Sequence, residues 1–351
     1  MFEVLTFLLG VAAFYSVYLM LSISLNLEYG YAGISNFGKV MFFAGGAFTT
    51  GALLTRITAL MAGAPPSLVW EVSKFRVYNT MLATRGSEFF ASNPLLGIGF
   101  YALMVLLGAC IGALLGVVAS YPAIRLREDY LGMTLIVSGE LLRVLARNYE
   151  PLICGTLGVS VPNPFAWARG FTDLVQAATM MSLALLTWYA VERLVNSPYG
   201  RALRALRDSE IAAMSLGKDV VRLKMYTLAV GSAIAGAAGS MYAMYMGAVL
   251  ADEFMPLKTF VVWLMVVMGG TANNYGAGLG ALAYLAVDRT LTIIKHWIPA
   301  PFDVNYLSYV MMAILLLAIL MFKPEGLIPE KPGRVEALIK GLSKPPHETT
   351  R

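Results

Sequence analysis

Long uncharged stretches alternate with short polar clusters along the whole chain. The first, Val4 to Leu27, is uncharged throughout. A glycine-rich polar run from Glu28 to Lys39 follows, then an apolar stretch from Val40 to about Thr55. Further apolar stretches run over Leu95–Ile124, Tyr130 to about Leu145, Leu174 to about Val195, and about Met225 to Leu250. Three more cover Phe260–Met268, Gly278–Val287 and Tyr306–Phe322. Several reach the ~20 residues that cross a hydrocarbon core of about 30 Å. The pattern predicts an all-α, polytopic integral membrane protein with about nine transmembrane helices, since a helix satisfies its own backbone in lipid. Short alternating segments of a β-barrel are absent from the pattern.

Two places break the apolar rhythm in an informative way. Gly30, Gly33 and Gly38 interrupt the approach to the second span, which predicts a broken helix entering the membrane. Such backbone is tolerated where protein or a water-filled cavity surrounds it, and it points to a translocation path. Gly33, Ser35, Asn36 and Lys39 are therefore candidate path residues, with tight packing as the plain alternative. The second place is Ser197 to Lys224, which carries six Arg/Lys. Ser197 suits an N-cap with Pro198 in the first turn, Asp208 and Ser209 offer a second cap, and Gly217 a stop. Two short helices on the water side are expected, with Ala212 and Ala213 as a smooth knob. A solvated basic loop is the plain reading of the same residues.

Composition sharpens the class. The 351 residues are 58% hydrophobic and 13% charged, against about 25% charged in soluble domains. Gly108, Gly112 and Gly116, and likewise Gly231, Ala235 and Gly239, recur every four residues as seams for neighbouring helices. The net charge of +5 is the usual basic excess of membrane loops and implies no nucleic acid. With Ser197–Lys224 taken as cytoplasmic, sixteen Lys/Arg fall inside and nine outside, which predicts an outer N-terminus and a cytoplasmic C-terminus. No basic region precedes the first apolar stretch, so a retained span is expected rather than a cleaved signal. Residues 64–93 form a polar outer loop and 331–351 a basic cytoplasmic tail in this scheme.

Candidate chemistry is sparse. Gly33, Gly38 and Lys39 have phosphate-loop spacing, but Val40 stands where that motif needs Ser or Thr, between spans rather than between a strand and a helix. Cys110 and Cys154 show no ligand spacing. No catalytic cluster or metal site is indicated. Glu140 and Arg143 lie three apart on one helical face and can pair, as path residues or as a packing lock. Asp288 and Arg289 pose the same choice.

The motifs then converge. Gly30-Tyr31-Ala32-Gly33 precedes Ser35-Asn36-Phe37-Gly38. Ile124-Arg125-Leu126-Arg127-Glu128-Asp129-Tyr130 and Gly139-Glu140-Leu141-Leu142-Arg143 follow. Next come Ser197-Pro198-Tyr199-Gly200-Arg201-Ala202-Leu203-Arg204-Ala205-Leu206-Arg207 and Glu210-Ile211-Ala212-Ala213 through Gly217. Ala235-Gly236-Ala237-Ala238-Gly239 with Tyr242-Ala243, Val266-Val267-Met268-Gly269-Gly270 and Phe322-Lys323-Pro324-Glu325-Gly326-Leu327 complete the set. In this order, from Tyr15 to about Pro329, the chain resembles the larger permease subunit of branched-chain amino-acid ABC importers, the LivM-like family.

The resemblance implies a BtuC-like type II ABC importer permease architecture over residues 1–330, in the cytoplasmic membrane. It implies two ABC ATPase subunits, a second homologous permease subunit and an extracytoplasmic substrate-binding protein as partners. ATP hydrolysis on the partners would drive import, so this subunit is expected to be no enzyme and to need no cofactor. The family's ATPase-coupling element maps onto Arg201, Arg204, Arg207, Asp208, Glu210, Ala212, Ala213 and Gly217. Ile211 occupies the position of the motif's usual glutamate, and Glu210 is one residue early. The outer loop of residues 64–93 is a candidate contact for the binding protein. Urea, short amides or other amino acids are the alternative cargoes, and a stand-alone transporter or channel is the alternative class.

Overall fold

The computed structural model describes residues 2–126, 128–294, 305–323 and 325–330. Arg127, Pro324, Lys295 and the expected tail of residues 331–351 lie outside them. Helices dominate: α1 (Phe2–Leu25), α2 (Lys39–Met61), α3 (Pro66–Trp70), α4 (Val72–Ser92), α5 (Pro94–Arg125), α6 (Glu128–Asn148) and α7 (Glu150–Ile153). Then come α8 (Thr172–Val195), α9 (Pro198–Asp208), α10 (Glu210–Ser215), α11 (Val220–Met246), α12 (Leu257–Gly269), α13 (Asn274–Ile294) and α14 (Asn305–Phe322). The all-α expectation admits one small exception, a two-residue antiparallel ladder pairing Val159 with Val249 and Ser160 with Ala248.

Among the described residues, five helical stretches are long and apolar enough to cross a membrane: Val4–Tyr31, Lys39–Met61, Pro94–Arg125, Thr172–Val195 and Val220–Met246. The other four expected spans fall on α6, α12, α13 and α14. Of these, α12 has 13 residues, short of the ~20 that a full crossing needs. Helix α2 runs through Thr55 and Arg56 to Met61, beyond the expected end. Arg56 stays helical because its guanidinium donates to the Ala52 and Pro151 carbonyls and lies over the Phe75 ring, 4.4 Å from its centroid. Residues 64–93 are not an irregular loop. Pro66 and Pro94 open helices on either side of α4, whose Phe75, Leu82 and Phe90 are buried.

Helix α11 is the hub, and its two seams serve different neighbours. Ser232 and Gly236 meet Gly108, Gly112 and Gly116 of α5. A Cβ on Gly112 would collide with the Ser232 carbonyl, and one on Gly236 with the Gly108 carbonyl. The expected seam of Gly231, Ala235 and Gly239 lies on the other side. There Gly239 abuts the Phe43 carbonyl of α2, and Gly231 abuts the Glu28 side chain. In lipid no hydrophobic drive brings helices together, so close backbone approach supplies the attraction.

The α9–α10 region follows its caps. Ser197 Oγ accepts from Tyr199 N at 3.2 Å, with Pro198 in the first turn. Ser209 Oγ accepts from Ala212 N at 3.2 Å and thereby separates α9 from α10. Gly217 takes φ of +72°, the left-handed conformation that closes α10.

Gly112→Leu is expected to lower the thermal midpoint of the detergent-solubilised protein, since overpacking costs about 1–3 kcal/mol. Leu114→Ile, at a position on the same helix that is 61% exposed, should leave the midpoint unchanged.

Candidate translocation site

The glycine-rich run breaks the membrane helix as its composition requires. After Leu25 the chain makes a one-turn π-helix, Asn26–Tyr31. Gly33, at φ of +71°, then reverses it. Residues 34–38 return as irregular backbone before α2 begins at Lys39. The groups freed by the break are paired locally. Gly33 N donates to Tyr29 O and Ile34 N to Glu28 O, both at 2.9 Å. Gly38 N donates to Asn36 Oδ1 at 2.9 Å, and Val40 N to Thr259 Oγ1 of α12 at 3.1 Å.

An ion pair locks the two sides of the break together. Lys39 Nζ lies 2.8 Å from Glu28 Oε2, and both side chains are essentially inaccessible to solvent. Asn36 Nδ2 donates to the same oxygen at 2.8 Å. Gly231 makes room for this carboxylate, because a Cβ there would overlap it. Burying two charges is costly unless geometry and extra hydrogen bonds offset the desolvation. Here one carboxylate oxygen receives both a cation and an amide.

Beside the pair lies a layer of aromatic rings. Trp263 of α12 packs against Tyr29 at 4.3 Å between centroids and stacks on Phe37 at 4.4 Å and 10°. Its Nε1 donates to the Asn36 carbonyl at 3.1 Å. A cavity of about 410 Å³ opens between α1, α2, α11, α12 and α13. Phe14, Val17 and Leu21 give it an apolar wall; Lys39, Asp252, Glu253, Lys258 and Asp288 give it charge. Lys258 Nζ sits 4.9 Å from the Tyr242 ring centroid, 5.3 Å from Phe254 and 6.0 Å from Phe43. Cation–π contacts are worth about 0.5–2 kcal/mol, more where water is excluded. Tyr242 Oη donates to Glu253 at 3.2 Å.

On the far side of the break stands α9. Arg207 Nη1 donates to the Gly30 carbonyl at 2.7 Å. Gly33 packs on the Arg207 backbone so closely that a Cβ would come within 3.2 Å of its Cα. Arg204 lies over the Tyr31 ring at 5.3 Å, and Glu330 ion-pairs with both arginines. A polar chain continues sideways. Asn26 Oδ1 accepts from Ala272 N at 2.9 Å, Asn26 Nδ2 donates to Asn274 at 3.0 Å, and Asn274 Nδ2 donates to Glu192 at 2.8 Å. Leu327 N and Ile328 N dock on the carbonyls of Met268 and Gly269 at 3.0 and 2.9 Å.

The expected path residues thus separate into three groups. Lys39 alone lines the cavity. Ser35 and Asn36 are buried in the break, while Gly33 faces α9. Glu140 and Arg143 do pair, and Arg143 also reaches Asp252, a cavity residue, at 2.6 Å. Lys39 in its ion pair, and Val40 N bound to Thr259, leave no phosphate loop. In the coupling stretch, Arg204 and Arg207 turn inward, and Glu210 pairs with Lys224 at 2.8 Å. Ala213 is fully buried, whereas Ala212 faces out beside Ile211, Met214 and Leu216, the last exposed by 75%. The exposed surface of α10 is therefore these apolar side chains rather than an alanine knob. Arg201 and Asp208 are exposed.

Glu28, Lys258, Glu253, Tyr242 and Trp263 were not legible as site residues. Glu28 carried the best signal, an acid at the junction of an apolar run and a glycine-rich one. Helix α13 continues to Ile294, so Asp288 lies within it and lines the cavity.

Comparison with known proteins bears on this arrangement. The profile of the family described as "branched-chain amino acid transport system / permease component" matches residues 7–320. The chain belongs to this permease family. A probable branched-chain amino acid transport permease protein LivM of Methanocaldococcus jannaschii is 37% identical to it, covering 91% of this chain and 92% of the relative. The high-affinity LivM permease protein of Salmonella typhimurium is 26% identical, over 91% of this chain and 69% of the relative. A guanosine ABC transporter permease protein, NupQ of Bacillus subtilis, is 24% identical over 62% of this chain and 71% of its own. No solved structure matches. As a member, the permease is a multi-pass membrane protein.

Removing one partner of a buried ion pair typically costs 3–5 kcal/mol. In this permease Lys39→Met should accordingly abolish detectable folded protein in fluorescence-detected size exclusion. Glu28→Gln combined with Lys39→Met should restore a monodisperse peak, because no charge is then left unpaired.

Proposed function

We propose that this chain is the permease subunit of an ATP-driven importer of branched-chain amino acids. Two ABC ATPases, a second homologous permease subunit and an extracytoplasmic binding protein complete the transporter. The observation that carries the coupling is the contact of Arg207 and Gly33 between α9 and the broken segment beside the cavity. In this reading the α9–α10 end is cytoplasmic, the α3–α4 end is outside, and the chain crosses about nine times with its N-terminus out. The BtuC-like type II architecture and the cytoplasmic tail of residues 331–351 belong to the same proposal.

The mechanism follows from stiffness. ATPase movement reaches Ile211, Met214 and Leu216, whose exposure supports α10 as the docked face. Helices α9 and α10 move as a capped unit and take the Gly30–Gly33 turn with them through Arg207. That displaces Phe37 and Tyr29 from Trp263, and opens the cytoplasmic floor of the cavity. Rigid-body shifts of this kind pass through bistable packing rather than gradual deformation. The apolar wall of Phe14, Val17 and Leu21 favours a hydrophobic amino acid over urea or a short amide. Helix α4 exposes Val77, Tyr78 and Met81, which supports contact with the binding protein at the outer end.

In proteoliposomes holding the complete transporter, leucine uptake should require ATP and the binding protein. Uptake by this subunit alone without ATP would identify a stand-alone transporter or channel instead. Leu216→Asp is expected to remove co-purifying ATPase while membrane insertion persists. Arg207→Ala should keep the ATPases bound yet cut leucine uptake per ATP hydrolysed by roughly 10-fold, about 1.4 kcal/mol of lost coupling.

A further inference from the structure

We infer that residues 325–330 form a strap that carries ATPase movement from α9 to the foot of α12, with Glu330 as its positioning residue. The inference rests on the import reading above and adds a second coupling route to the one through Gly30 and Gly33.

The strap follows α14. Gly326, at φ of +81°, turns the chain back. Gly326 N donates to Lys323 O at 2.9 Å, and Lys323 Nζ to Leu327 O at 2.8 Å. The next two amides cap another helix. A helix leaves its last four carbonyls without intrahelical donors. Met268 O and Gly269 O at the end of α12 are two of these, and they accept from Leu327 N and Ile328 N at 3.0 and 2.9 Å. Gly270, at φ of +115°, lets backbone lie on backbone, since a Cβ there would overlap the Ile328 carbonyl. Asn273 Nδ2 donates to Pro329 O at 2.9 Å, which fixes the strap to the α12–α13 turn as well.

At its other end the strap holds α9. Glu330 Oε2 lies 3.1 Å from Arg207 Nη1, and Glu330 Oε1 lies 3.6 Å from Arg204 Nε. The same Arg207 nitrogen reaches the Gly30 carbonyl at 2.7 Å. Helix α9, the glycine turn and the strap therefore meet at one guanidinium. Capping α12 needs the two amides alone and does not account for Glu330. Stability does not account for it either: the three side chains are 27% to 33% exposed, and ion pairs open to water add little. What the acid adds is a fixed separation between α9 and α12.

Helix α12 is built to act as a lever on that joint. Its 13 residues span about 20 Å at 1.5 Å per residue. Near its head Thr259 Oγ1 accepts from Val40 N, and Leu257 and Lys258 line the cavity. Trp263 stands midway, stacked on Phe37. With the head held and the foot carried by α9, the helix tilts while the Gly30–Gly33 turn translates. Trp263 and Phe37 then move in different directions, and their stack parts.

The test uses the assembled transporter in nanodiscs. Phe260 of α12, 47% exposed, is replaced in Phe260→Cys and labelled with bimane. Cys110→Ser removes the exposed native thiol, and buried Cys154 stays. Bimane emission is read with and without a non-hydrolysable ATP analogue. The analogue is expected to shift the emission while Glu330 is intact. Glu330→Gln should cut that shift roughly 3-fold or more, and leucine uptake per ATP hydrolysed by a similar factor, with the ATPases still bound. Glu330→Asp, which keeps the charge, should retain most of both. A role in stability alone would lower the yield of folded complex and leave the shift and the uptake ratio of the remainder unchanged. No shift with Glu330 intact, or a full shift in Glu330→Gln, overturns the strap. Should Glu330→Gln fail to assemble, Arg204→Glu sets a like charge against Glu330 and opens the same joint, and a full shift there overturns the strap equally. A full shift in Glu330→Gln with ATP-dependent uptake sinks the strap and leaves the importer standing. A shift lost in Glu330→Gln together with uptake that needs no ATP does the reverse.

Discussion

The buried pair of Glu28 and Lys39 is the constraint to which the surrounding structure conforms. Two charges with essentially no solvent access demand compensation, and the fold supplies it from several directions. Asn36 turns its amide onto the shared oxygen. Helix α11 gives up a side chain at Gly231 to admit the carboxylate. The first helix loosens into a π-turn so that Glu28 faces inward, and α2 starts only where Lys39 can reach it. Breaking a helix inside a membrane is tolerable when the freed backbone is enclosed by protein. Here the same charges that require the enclosure also hold it shut.

Around this pair the molecule is layered. A cavity with an apolar wall and several charged side chains lies on one side. A layer made by Phe37, Trp263 and Tyr29 lies beneath it, followed by the Gly30–Gly33 turn. Arg207 and Arg204 of α9 grip that turn and are themselves held by Glu330. The arginine contacts on the turn are short and directional. Glycines at the α11 interfaces allow backbone to slide on backbone, whereas interlocked large side chains would resist.

Much of this was legible in one dimension, and the exceptions share a cause. The span on Leu95–Ile124, the caps at Ser197 and Ser209, the stop at Gly217 and the broken helix after Glu28 depend on neighbours a few residues away. Local chemistry decides such features. Residues 64–93 read as a loop because their polarity hid an amphipathic helix whose buried face, Phe75, Leu82 and Phe90, needed a partner to be recognised. Arginines 204 and 207 read as solvent-facing for the same reason. Their partners Gly30, Tyr31 and Glu330 are more than a hundred residues away along the chain. Ala213 seemed a contact surface, but its place on α10 turns it inward and exposes Ile211 and Leu216.

The sequence by itself determined the class of the protein, its helical spans, the break after Glu28 and the capped pair of helices at α9–α10. These follow from periodicity, caps and glycine placement, all short-range. Only the tertiary structure decided which charges meet. Lys39 found Glu28 across a reversal of the chain, and Arg143 found Asp252 from another helix. Lys258 found the rings of Phe43, Tyr242 and Phe254. An ionisable side chain in a membrane takes its meaning from its partner, and partners are chosen by packing at distances that no local pattern encodes.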